Sequence, residues 1–163
     1  MGAYAVEWQL KDEKKGGFDM ATVFDTAKYI LEKLGPVSAW KLQKLCYYAQ
    51  AWSIAWTDEP LFKEDFQAWA NGPVCPPLYA MHRGQYVVSA DDIGNGDGSS
   101  LTDDQRDTVD RVLEHYGSWE PYELREQTHS EAPWKDARGD LPEGASSIEP
   151  ITKESMGEYY GSF

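Results

Sequence analysis

Positive charge is what this chain has least of for its size. Fifteen Lys and Arg stand against 28 Asp and Glu, a formal net charge of −13 over 163 residues. A nucleic-acid binder neutralises phosphates with cationic side chains, so this balance speaks against DNA or RNA as a ligand. An anionic membrane surface is disfavoured for the same reason. Cysteine is scarce as well: Cys46 and Cys75 stand alone and form no Cys-x-x-Cys pair, which fits reduced thiols in a cytoplasm. His82, His115 and His129 are too scattered to complete a zinc site of recognisable spacing. No apolar run reaches transmembrane length, no segment reads as a signal peptide, and Val6 stands where a myristoylation signal needs Ser or Thr. The expectation is a soluble cytoplasmic protein without membrane or nucleic-acid partners.

What the chain does have is apolar and aromatic mass. Hydrophobic residues make up 41%, with seven Trp, ten Tyr and five Phe, a composition that argues against a disordered chain. The length suits one domain with a real core. Most of the aromatics belong inside it, and the remainder are good contact anchors at a surface. Acidity serves solubility first and, beyond that, steering towards a basic protein partner.

Residues 1–19 read as an arm ahead of a domain over 20–163. Residues 4–10 could make a short strand, and 11–17 are charged and then glycine-rich. In the domain, Thr22 with Asp25 caps a helix whose apolar face is Val23, Ala27, Ile30, Leu31 and Leu34, ended by Gly35-Pro36. Ser38 caps the next, where Leu42, Leu45, Cys46, Ala49, Trp52 and Trp56 form a stripe. Tyr47, Tyr48, Ala51, Ile54 and Ala55 cover much of the rest. A helix apolar nearly all round is central, so 38–56 is predicted to be the core.

Residues 61–70 read as a short hairpin or extended edge, Asn71-Gly72-Pro73 as a turn, and Pro76-Pro77 as the lead into a helix to Arg83. Residues 89–100 read as a surface loop. Thr102 with Gln105 caps a helix bearing Val109, Val112, Leu113 and Tyr116, and Pro121 opens another to about Gln127. A helical turn over 132–137, a loop over 138–150 and a last helix capped by Thr152, carrying Met156, Tyr159 and Tyr160, complete the pass. The predicted class is mainly α: about six helices around the buried central helix, with a small β-hairpin near 61–70.

Candidate chemical sites are weak. Asp91, Asp92, Asn95 and Asp97 crowd together, but counting from Asp92 the third position is Gly94 and the twelfth Asp103, which breaks an EF-hand loop. Arg138-Gly139-Asp140 matches an adhesion tripeptide by chance. His129-Ser130-Glu131 could supply a base and a carboxylate to a small hydrolase, yet adjacent residues do not converge on one substrate as a triad does. The structural alternative has His129 bonded to backbone or to Glu131, with Trp134 packed beneath it. Cys46 lies on the most apolar helix, where a thiol is inert. No catalytic, cofactor or metal residue is assigned.

Three separated segments, 41–52 (Lys-Leu-Gln-Lys-Leu-Cys-Tyr-Tyr-Ala-Gln-Ala-Trp), 66–74 (Phe-Gln-Ala-Trp-Ala-Asn-Gly-Pro-Val) and 128–134 (Thr-His-Ser-Glu-Ala-Pro-Trp), follow one another in an order and spacing that resembles the Panacea domain, the SocA-like antitoxin family. The closing Ile151-Thr152-Lys153-Glu154-Ser155-Met156 is similar to that family's ending, so the resemblance runs over 21–160. It implies an antitoxin that binds and masks a cognate protein toxin encoded nearby, with no cofactor and no catalysis. A variant is an adaptor presenting the toxin to a cytoplasmic protease. A regulator of its own operon is disfavoured by charge. The motif residues carried over are Leu42, Leu45, Tyr47, Trp69, Asn71, Gly72, Pro73, His129, Pro133 and Trp134, most of them expected to hold the fold.

Overall fold

Among the described helices, four begin where an N-cap side chain accepts an open amide of the first turn, and the other three have proline at one of their first two positions. The Asp25 amide donates to the Thr22 hydroxyl at 3.1 Å, while the Thr22 amide donates to the Asp25 carboxylate at 3.0 Å, starting α1 (Val23–Leu34). Ser38 receives the Lys41 amide and starts α2 (Ala39–Thr57), which stops at Asp58 in the left-handed region. The computed structural model describes residues 20–163, so the arm and its predicted strand lie outside the described residues. Beyond α2 come α3 (Pro76–His82), α4 (Asp103–Tyr116), α5 (Pro121–His129), α6 (Ala132–Arg138) and α7 (Lys153–Tyr160). These seven helices and a small strand component make the fold mainly α.

The predicted core helix is the core. All ten residues from 42 to 51 are buried, nearly three turns covered on every side. Helices α1, α4, α5 and α7 pack directly against α2. Trp56, expected in its buried stripe, is 40% exposed, because the last turn emerges from the bundle. Burial on all sides also takes in polar side chains. Gln50 accepts the Leu61 amide at 2.8 Å and donates to the Phe62 carbonyl at 2.8 Å. Gln43 accepts the Cys75 amide at 2.8 Å and meets His82 Nε2 at 2.9 Å. Two turns apart on one helix, these amides fix the chain segments on either side of the hairpin.

That hairpin lies slightly later than predicted. Strand β2 (Phe66–Trp69) pairs antiparallel with β3 (Gly72–Val74), with Trp69 opposite Gly72, so Gly72 and Pro73 begin a strand and the turn itself is Ala70-Asn71. Pro73 lies on the outer strand of this pair, a place where a missing amide is tolerated. Three further strands were not expected: β1 (Val37–Ser38), which pairs with β4 (Val87–Val88), and β5 (Pro150–Ile151), which adds to the other edge of β2. The acidic stretch 89–100 is no free surface loop. It forms two 3₁₀ turns laid on α1, with Ile93 and Gly98 buried and the Asp97 amide donating to Asp25 at 2.8 Å.

Leu45, fully buried on α2, is the clearest measure of this packing. Leu45→Ala should lower unfolding free energy by about 2–5 kcal/mol through the cavity it leaves. Chemical denaturation, with the midpoint falling and the slope unchanged, is the check.

Candidate functional site at the hairpin tip

The motif segments come together around the β2–β3 turn. Trp134 Nε1 donates to the Trp69 carbonyl at 2.9 Å, tying α6 to the end of β2. His129 stacks on Trp134 with centroids 3.8 Å apart and planes 10° from parallel. Arg138 lies over the Trp134 ring and donates to the Ala68 carbonyl at 2.9 Å. Arg125 Nε reaches Asn71 Oδ1 at 3.4 Å. Pro133 is buried in the first turn of α6, and Leu42, Leu45 and Tyr47 lie in the core of α2. Of the ten motif residues, then, Trp69, Asn71, Gly72, Pro73, His129, Pro133 and Trp134 belong to the hairpin and to the α5–α6 segment bound to it; Leu42, Leu45 and Tyr47 serve the core.

Beneath the hairpin lies a residue that the sequence analysis passed over. Lys44 is 1% exposed, and its Nζ has no hydrogen-bond partner among the described residues. Gly72 explains where the side chain goes. Its φ of +116° favours glycine, and a Cβ there would overlap the Lys44 Cε and press on Thr128 Oγ1. The amine lies 5.1 Å from the ring centre of Trp40. Burial, with the Arg125 guanidinium nearby, pulls its pKa from the ordinary 10.5 down to about 7. Burial also lowers His82, with the Lys44 charge acting in the same direction. Near neutral pH the buried Lys44 amine is therefore only partly charged.

His129 and Glu131 face different neighbours. His129 Nδ1 pairs with Glu143 Oε1 at 3.0 Å, so its partner is neither backbone nor Glu131, while Trp134 does pack against its ring. Desolvation lowers the His129 pKa, and the hydrogen bond to His129 holds Glu143 below the usual carboxylate range. Glu131 is buried: its Oε1 accepts Tyr48 at 2.8 Å and Tyr160 at 2.7 Å, and its Oε2 accepts Gln127 Nε2 at 2.9 Å. Tyr160 in turn meets Tyr47 at 3.1 Å. This carboxylate is the hub of an aromatic network that joins α2 to α7, and no described contact brings it to His129. Glu126, His129 and Glu143 do place possible ligand atoms within 4.8 Å of one another. Glu126 is already paired with Arg125 at 2.7 Å, and Arg125 and Arg138 oppose a cation at Glu143.

A model of the family described as "Antitoxin SocA-like, Panacea domain" matches residues 42–135, more than half of the chain. The chain belongs to this family. The match takes in the first three resembling segments almost whole and ends before the closing 151–156. Curated proteins and solved structures gave no match. Among the described residues no helix is long and apolar enough to cross a membrane.

Around this hairpin, two participants escaped the sequence analysis for one reason. Lys44 and Arg138 are cations, and cations read as surface. Arg138 is instead 5% exposed and also donates to the carbonyls of Pro142, Glu143 and Ala145, ordering a segment that read as plain loop. The signal for Lys44 was available: a helix apolar nearly all round must bury its few polar members too.

The buried amine has a measurable signature. Between about 7 and 10.5 the unfolded lysine holds a proton that the folded one has lost, so the unfolded state binds more protons and stability rises with pH through that window. Compared with Lys44→Met, which lacks the group, wild type should gain up to about 1.4 kcal/mol per pH unit between about pH 7.5 and about pH 9. Paired denaturation curves of the two proteins test this, since the other titrating groups are common to both.

Proposed function

We propose that this chain is the antitoxin of a toxin–antitoxin pair, acting in the cytoplasm and neutralising a cognate protein toxin by direct binding. Membership of the SocA-like antitoxin family over 42–135 carries the reading. The surface supports it. A net charge of −13 suits a protein partner with basic character and repels phosphate backbones. Trp40, Tyr86, Tyr122 and Ile148 are exposed, the residue types that anchor protein interfaces or flank their hot spots. Masking a toxin needs no bond made or broken, and the carboxylate that a hydrolase would draw on, Glu131, is engaged by two tyrosines and a glutamine. Residues 20–163 form the binding unit in this reading.

Cells expressing the reading frame beside this gene should stop growing, and co-expression of this chain should restore growth with formation of a stable complex. Unrelieved toxicity with no complex at micromolar concentration contradicts the reading. Rescue that requires a host protease would make the chain an adaptor instead. The association rate should fall as salt rises, because exposed charges are screened beyond a Debye length of about 8 Å at 0.15 M. Dissociation, governed by packed anchors, should change less. Stopped-flow mixing at several ionic strengths separates the two.

A further inference from the structure

Beside the buried Lys44 lies an open groove of about 300 Å³, walled by Trp40, Trp69, Ala70, Asn71 and Ile148. Its lining is mostly apolar, and Ile148 is 74% exposed at its edge. Trp40 belongs to both features: its ring walls the groove and lies 5.1 Å from the Lys44 amine. Gly72, which makes room for the lysine, directly follows Asn71 of the groove.

We propose that the toxin docks in this groove, seating an apolar side chain between Trp40 and Ile148 and bringing a carboxylate to the Lys44 amine. The inference rests on the antitoxin reading and deepens it by naming the face and the chemistry of contact.

Several observations converge on it. An amine with all its donors buried and none satisfied among the described residues is a standing cost, and an incoming acceptor removes it. For the fold alone an apolar side chain of similar volume would serve at least as well, since isolated buried charges are stabilised poorly. Yet the backbone is bent to φ +116° at Gly72 in a way that leaves space for this lysine. Among the described residues, the charged or titratable groups bearing on the amine are Arg125 on α5, itself paired with Glu126, and His82 on α3, which burial shifts towards its neutral form. An acceptor entering there meets an amine that can take up a proton, and a carboxylate answers the protonated amine better than a neutral carbonyl does. In this proposal the ring of Trp40, itself 37% exposed, turns aside to admit it. Charge also sets register. The acidic body of the chain attracts a basic toxin from a distance, while the groove selects the opposite sign at contact, so a misplaced carboxylate meets a surface of net negative charge.

The experiment uses the full chain and the purified product of the neighbouring reading frame. Calorimetric titrations are run in two buffers of different ionisation enthalpy near pH 8, for wild type, Lys44→Met and Ile148→Asp. Lys44 is largely deprotonated there and must recover its proton to pair with a carboxylate, so wild type should bind with uptake of close to one proton. Lys44→Met should melt no lower than wild type, bind at least ten-fold more weakly and take up no proton. Ile148→Asp, an exposed change that leaves the fold intact, should also weaken binding at least ten-fold. If Lys44→Met folds and binds as wild type does, or if Lys44→Met does not fold and Ile148→Asp binds as wild type does, this inference is overturned while the antitoxin reading stands. A wild-type chain that fails to bind the neighbouring product removes the antitoxin reading, and this one with it.

Discussion

A helix covered on every side must bury its polar side chains along with its apolar ones, and that constraint organises the whole domain. In α2 each buried glutamine has been given a backbone to hold. Gln50 takes the amide of Leu61 and the carbonyl of Phe62; Gln43 takes the amide of Cys75. The hairpin is thus hung from the central helix at both of its roots, and its turn is placed over the next residue along, Lys44. Tyr48 meets the same constraint differently, handing its hydroxyl to Glu131. Hydrogen bonds of this kind gain little over those made to water, but leaving any one of them open would be costly, so they select one arrangement over others.

Most of the helical frame was legible from the sequence because its signals are local. Thr22, Ser38, Thr102 and Thr152 each cap the helix predicted for them, and Pro121 opens α5 as expected. What escaped depends on partners far away in the chain. The two-residue strands Val37–Ser38 and Pro150–Ile151 have too few residues for alternation to show, and they exist only because Val88 and Phe66 stand opposite. The stretch 89–100 has the composition of a solvated loop, but Ile93 and the Asp97 amide find α1. Glycine density reports that the backbone can bend and says nothing of what it bends against.

The site was legible in its residues and not in their roles. Trp69, Asn71, Gly72, His129 and Trp134 could be picked out, yet their meeting at one hairpin follows from tertiary contacts such as that of Trp134 with the Trp69 carbonyl. His129 was read with the wrong acid, because Glu131 is nearer in sequence while Glu143 is nearer in space. The turn read at Gly72 was displaced for a physical reason as well. A glycine at positive φ is the usual mark of a turn, and here the same conformation serves to clear a lysine.

The position of the last helix has a consequence for how the chain is made. Tyr160 reaches the Tyr47 hydroxyl across 113 residues, and Ile151 completes the sheet begun at Phe66. A polypeptide emerging from the ribosome therefore exposes the flank of its own central helix until residues 151–160 have been synthesised. The tyrosine hydroxyls and the edge of β2 wait, wetted, for a segment that lies far along the chain. The family-defining stretch is finished before the residues that enclose it are made.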